Sequence, residues 1–168
     1  MANYFYVKNG LGTRTSDTGF TSPESGAFGS GNLTAANVYA DFSVLDGLTT
    51  PPTDGDFVLV SDAHTKAYSP GAVTFNAGGS INGAGLIIAS VDDTNADQYK
   101  PGASEELTGS TSLYVANNIV SIYGFNLEGD DDVVRFATTG GGGRIVDCTL
   151  TADAASDICV ATLSDGMY

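Results

Sequence analysis

Six Lys and Arg in 168 residues, one His, two Cys and no Trp are what this chain has little of. Against 20 Asp and Glu the few cations leave a net charge of −14. Such a surface repels nucleic-acid phosphate and an anionic bilayer alike, so neither nucleic acid nor membrane is an expected partner. No apolar run approaches the ~20 residues needed to span a bilayer. The opening residues 1–10 (MANYFYVKNG) carry no basic region followed by a long apolar stretch, so no secretory signal is expected. Cys148 and Cys159 match no zinc spacing, and one His is too few to complete such a site. They read as reduced, buried thiols, with a disulfide open to them only if they stack on adjacent coils. There is no Gly-x-Ser-x-Gly elbow, and the four glycines at 140–143 are not followed by the Lys-Ser/Thr of a phosphate loop.

What is present is one theme repeated from residue 56 to residue 163: a short apolar, β-branched run, then a turn rich in Gly, Asp, Asn and Ser. The runs include 57–60 (FVLV), 72–75 (AVTF), 86–91 (LIIASV), 119–123 (IVSIY), 133–136 (VVRF), 144–150 (RIVDCTL) and 158–163 (ICVATL). Strands this short cannot each bury a face alone and must stack, which points to the coils of a β-solenoid. The 22 glycines suit its tight turns. In 120–127 (VSIYGFNL), Gly124 breaks the alternation of apolar residues, as a corner between two flat faces requires. A β-sandwich with the same strand spacing is the competing architecture. The pairs Asn82-Gly83 and Asn9-Gly10 are the two-residue turns it would use.

The N-terminal part reads differently. Residues 4–7 (YFYV) form a strand, and 8–33 form an extended arm with scattered aromatics. Residues 34–46 read as a helix, with Thr34 as N-cap, Gly47 as stop, and Val38, Phe42 and Leu45 on one face. Its place would be over the exposed first coil, whose strand edges would otherwise recruit other chains. The expected division is 1–50 as arm and capping helix and 51–168 as body. The segment 92–110 reads as a polar loop that projects from it, with Glu105 and Glu106 exposed.

Candidate chemistry is sparse. Asp130, Asp131 and Asp132 are three acids in one turn and candidate Ca²⁺ ligands, but the alternating acids and distal Glu of a calcium loop are absent, so a solvated turn and no cofactor are expected. Asp92, Asp93 and Asp97 are a lesser version of the same case. His64 is a general base only if a partner positions it, and Asp62 is near it in sequence alone. The eight Tyr could stack on sugars if several shared a face. Tyr4, Tyr6, Phe20 and Phe28 are candidate anchors on a neighbouring subunit, with packing on this chain's own surface as the alternative.

The stretch 52–68 (PTDGDFVLVSDAHTKAY) resembles the opening coil of pectate-lyase-like right-handed parallel β-helices, and 86–91 and 119–127 (IVSIYGFNL) are similar to succeeding coils. Residues 2–10 (ANYFYVKNG) are similar to the start of structural proteins of tailed bacteriophages that carry such helices. The resemblance implies an all-β, right-handed parallel β-helix in a virion protein. It implies a capsid decoration protein docked on the major capsid protein or other virion proteins, assembled in the host cytoplasm as a homo-oligomer, with a trimer expected. A tail fibre or spike component, and a polysaccharide-binding or depolymerase β-helix facing a host glycan, are the alternatives. Lyases of that family need clustered calcium-binding carboxylates and an Arg or Lys base. Lys66, Lys100, Arg135 and Arg144 show no pattern setting one of them opposite such a cluster, so binding rather than catalysis is expected.

Overall fold

A computed structural model of the chain describes residues 1–68, 73–75, 85–107, 113–116, 119–129, 133–137, 142–152 and 159–161. Among these the chain is mostly β, with almost no helix. Strand β1 (Tyr4–Val7) is followed by β2 (Phe57–Ser61), β3 (Thr65–Tyr68) and β4 (Val73–Phe75). Next come β5 (Leu86–Asp92), its hairpin partner β6 (Asn95–Tyr99), β7 (Ala103–Leu107) and β8 (Leu113–Ala116). Then β9 (Ile119–Tyr123), β10 (Phe125–Gly129) and β11 (Val134–Ala137) precede β12 (Gly142–Val146), β13 (Thr149–Ala152) and β14 (Cys159–Ala161).

The strands pair out of sequence order. One sheet runs β1-β2-β5-β9-β12, a second β3-β7-β10-β13 and a third β4-β8-β11-β14. Every pairing between these strands is parallel, and only the β5–β6 hairpin is antiparallel. A β-sandwich of antiparallel sheets is therefore excluded. Of its two turn signals, Asn82-Gly83 lies outside the described residues, and Asn9-Gly10 leads from β1 into the arm rather than into a paired strand.

Parallel register stacks like on like. Phe5, Val58, Ile88, Ile122 and Ile145 form one column across the first sheet. The first four are at most 2% exposed and belong to the main core. Each such side chain contributes roughly 1.5–3 kcal/mol by leaving water. Gly124 does sit at a corner: with φ +78° it turns the chain from β9 in the first sheet to β10 in the second. Its N–H donates to Val146 O (3.0 Å) and its carbonyl accepts from Gly102 N–H (2.9 Å), so the corners bond to one another. In the next turn of chain Asp147 holds the equivalent place at φ 53°, which divides the expected single strand 144–150 into β12 and β13.

The expected helix over 34–46 is broken into two pieces. A 3₁₀ turn (Ala35–Asn37) and helix α1 (Phe42–Asp46) flank an extended stretch. There Tyr39 N–H donates to Tyr6 O (2.8 Å) and Lys8 N–H to Tyr39 O (2.9 Å), a parallel bridge on the free edge of β1. Strand-edge hydrogen bonds outweigh the helical propensity of this segment, and they close the edge that the helix was expected to cover. The close approach needs Gly12, where a Cβ would lie 2.2 Å from the Tyr39 carbonyl carbon. Thr34 makes no side-chain cap bond; the working N-cap is Asp41, which accepts from Val44 N–H at 3.1 Å. Five residues make no stable helix alone. Phe42 and Leu45 hold α1 in place by entering the main core, which residues 1–50 thus share with the rest.

The segment 92–110, expected as a projecting polar loop, instead supplies β6 and β7. Pro101 and Gly102 mark the corner between them.

Candidate functional site

β2 and β5 are apolar on both faces. Val58, Val60, Leu86 and Ile88 fill the main core, and Phe57, Leu59, Ile87 and Ala89 form the opposite face of the first sheet. The arm covers one end of that face. Phe28, Leu33 and Val38 pack around Tyr6, and Phe20 bridges Tyr4 in antiparallel fashion. Tyr6 Oη accepts from Glu24 N–H at 2.6 Å, and burial pushes this hydroxyl up to about 12. Tyr4 stacks on Phe57 with ring centroids 4.9 Å apart.

Beside the arm the rest of this part of the face is half-buried at Phe57, Leu59, Ile87 and Ala89 and buried at Val91. It forms a groove of about 390 Å³ with a floor of Phe57, Leu59, Ile87, Ala89 and Val91. Pro23 of the arm and Ala96, Asp97 and Tyr99 of β6 complete its lining. Tyr99 is 48% exposed and donates to Asp147 Oδ2 at 3.1 Å. Desolvation and that carboxylate raise its pKa. Asp97 accepts from the Gln98 amide at 3.0 Å, and among the described residues no cation lies within ion-pair distance of it. Among the described residues the groove thus joins an apolar floor to a carboxylate without a counter-ion.

The other acids nearby are tied up. Lys8 Nζ lies 2.5 Å from Asp93 Oδ1, which also accepts from Ser61 Oγ at 2.6 Å. Burial opposes ionisation of Asp93, but the Lys8 ammonium and the Ser61 hydroxyl outweigh it and leave its pKa lowered. Lys100 spans Asp62 at 2.7 Å and Asp92 at 3.4 Å. Asp62 raises the Lys100 pKa, and hydrogen bonds from Thr94 hold Asp92 low. No three metal-ligating side chains gather among the described residues.

A second polar cluster lies inside, beneath α1. His64 is 0% exposed and Glu105 2%, with Nε2 to Oε1 at 2.7 Å. The register sets Lys66 beside Glu105, and Lys66 Nζ reaches Asp41 Oδ2 at 3.1 Å. The partner of His64 is therefore Glu105 and not Asp62, and Glu105 is buried rather than exposed as expected. A burial this complete suits a structural pair and closes it to a substrate.

Of the four aromatic anchors, Tyr6 and Phe28 are buried and Tyr4 and Phe20 half-buried, all within this chain's own second cluster. Asp130, Asp131 and Asp132, and the side chains of Arg135 and Cys159, lie outside the described residues. Arg144 is exposed, and Cys148 is a free thiol whose S–H donates to Val146 O at 3.2 Å. The groove residues passed as ordinary core strands in the sequence. Their signal was the unbroken apolar character of 57–60 and 86–89, which marks strands covered on both faces.

Comparison of the chain with family models, with curated proteins and with solved structures gives no match.

Proposed function

We propose that this chain is a structural protein on the surface of a tailed-phage particle, a decoration protein that acts by binding to the shell. The observation that carries the proposal is the open apolar groove on the outer face of the first sheet, rimmed by Asp97. It lies next to an arm that covers one end of the same face. The cycle of consecutive strands through three parallel sheets supports a parallel β-helix, and the handedness rule for parallel crossovers supports a right-handed one. The similarity of 52–68, 86–91 and 119–127 to pectate-lyase-like β-helices supports the same fold, and that of 2–10 to the start of phage proteins carrying such helices supports the virion setting and a trimer.

The arm aromatics pack on their own chain, so the contact falls to the groove. Its chemistry fits a basic shell protein. The stem of a Lys or Arg lies along Phe57, Leu59 and Ile87 while its head meets Asp97, and the charge of −14 favours the approach.

Cryo-electron microscopy of particles carrying this chain tests the reading. Density at regular shell positions, with the groove turned to the shell, is the expected result. Density at the tail alone moves the protein to a fibre or spike, and absence from the particle overturns the proposal.

A further inference from the structure

His64 stands where three parts of the molecule meet. It closes the turn between β2 and β3, its backbone carbonyl accepts from Ser104 N–H (2.9 Å) ahead of Glu105, and its ring faces Phe42 of α1 at 6.3 Å between centroids. Both ring nitrogens are engaged. Nδ1 accepts from the backbone N–H of Asn9 at 2.8 Å, and Nε2 lies 2.7 Å from Glu105 Oε1. Since Nδ1 accepts, the single ring proton sits on Nε2 and is donated to Glu105. Asn9 is the point at which the arm leaves β1, and its side-chain amide donates to Thr65 O at 2.7 Å. One imidazole thus fastens the root of the arm to the first coil.

We propose that His64 is a proton-operated latch on the arm. A proton taken from solvent at Nδ1 turns that atom from acceptor to donor, and two N–H groups then face each other across 2.8 Å. The Asn9 backbone bond to the ring must break, and the side-chain amide on Thr65 O is the tie that remains at that residue. The charged groups around the ring decide what remains. Glu105 of β7 stays paired with the imidazolium, so the stacked strands hold. Lys66 of β3 is directed to Asp41 at the start of α1, and the Phe42 ring brings no charge. The Lys8–Asp93 pair and the Lys8–Tyr39 backbone bond lie next to Asn9 and limit the opening to the turn after β1. Asn9 itself is exposed, which gives the proton its way in.

Nuclear magnetic resonance of the full chain tests this, with the imidazole nitrogens and the Asn9 amide followed from about pH 8 to about pH 5. After correction for the intrinsic pH dependence of exchange, protection of the Asn9 amide is expected to fall about tenfold, as for loss of one hydrogen bond. Its midpoint should match that of the His64 nitrogen shifts. Asn9 protection that stays level while the ring titrates, or a ring that never titrates while the chain is folded, overturns the latch. His64→Asn sets an amide oxygen near the position of Nδ1, an acceptor that cannot be protonated, and should leave Asn9 protection flat with pH. Glu105→Gln keeps an acceptor for Nε2 but removes the counter-charge, and should move the midpoint to lower pH. An unmoved or higher midpoint rejects the role given to Glu105. Should His64→Asn fail to fold, co-titration in the unaltered chain still decides.

Discussion

Asp56 carries more of the fold than its size suggests. Oδ1 accepts from Asn3 N–H (2.8 Å) and Asn3 Nδ2 (3.2 Å), and Oδ2 accepts from Thr53 N–H (2.9 Å) and Thr53 Oγ1 (3.2 Å). One buried carboxylate therefore clips the start of β1 to the turn before β2. Asp56→Ala strands these donors and should cost about 1–3 kcal/mol, read as a lower urea midpoint at unchanged slope. Asp41 gives a pH signature. Burial opposes its ionisation, but Ser43, Lys66 and the Val44 N–H together leave its pKa below the usual carboxylate value. A group lowered in this way stabilises the fold fully above its unfolded pKa of about 3.9, and the contribution is lost as pH falls through the folded value. Asp41→Asn should therefore be less stable than the unaltered chain at pH 7, with the gap closing below about pH 4 in thermal melts.

Among the elements, α1 shows most clearly how far local signals reach. Of the helix expected over 34–46 from the spacing of Val38, Phe42 and Leu45, only the part at 42–46, with Gly47 after it, was legible. The extended stretch before it was not, because its partner is the edge of β1, more than 30 residues away in sequence. Leu45 is 0% exposed and plugs the end of the core. Leu45→Ala should cost about 2–5 kcal/mol by chemical denaturation, since the strands around it cannot collapse inward to fill the space. In the same way the polar sequence of 95–107 hid two strands. β6 turns Asp97, Gln98 and Tyr99 to solvent, and β7 turns Glu105 inward, where His64 receives it.

On the scale of the whole molecule, the proposed function rests on an acidic body and an apolar groove, and the two features make separable predictions. Ile87→Glu sets an unpaired charge on the groove floor and should weaken binding to purified particles by more than about tenfold, as for a central contact in an interface. The fold should persist in circular dichroism, because Ile87 faces the groove and not the core. The Asp97 contribution is electrostatic, so binding of the unaltered chain should weaken between about 0.05 and about 0.5 M salt. Particle binding that is indifferent to both changes removes the groove from the interface.

The sequence by itself determined the strand-and-turn theme, the corner at Gly124, the acidic surface and the want of any recognisable catalytic motif. These follow from period-two alternation, from glycine's access to positive φ and from composition, all of which act within a few residues. Tertiary structure alone decided which strands stack on which, that the arm lies on its own sheet, and that Glu105 is buried against His64. Those outcomes depend on contacts between residues far apart in the chain, 41 positions for His64 with Glu105 and 55 for Asn9 with His64. Parallel strands must cross over before they pair, so the burial of any one residue is set by the turn of chain laid beside it.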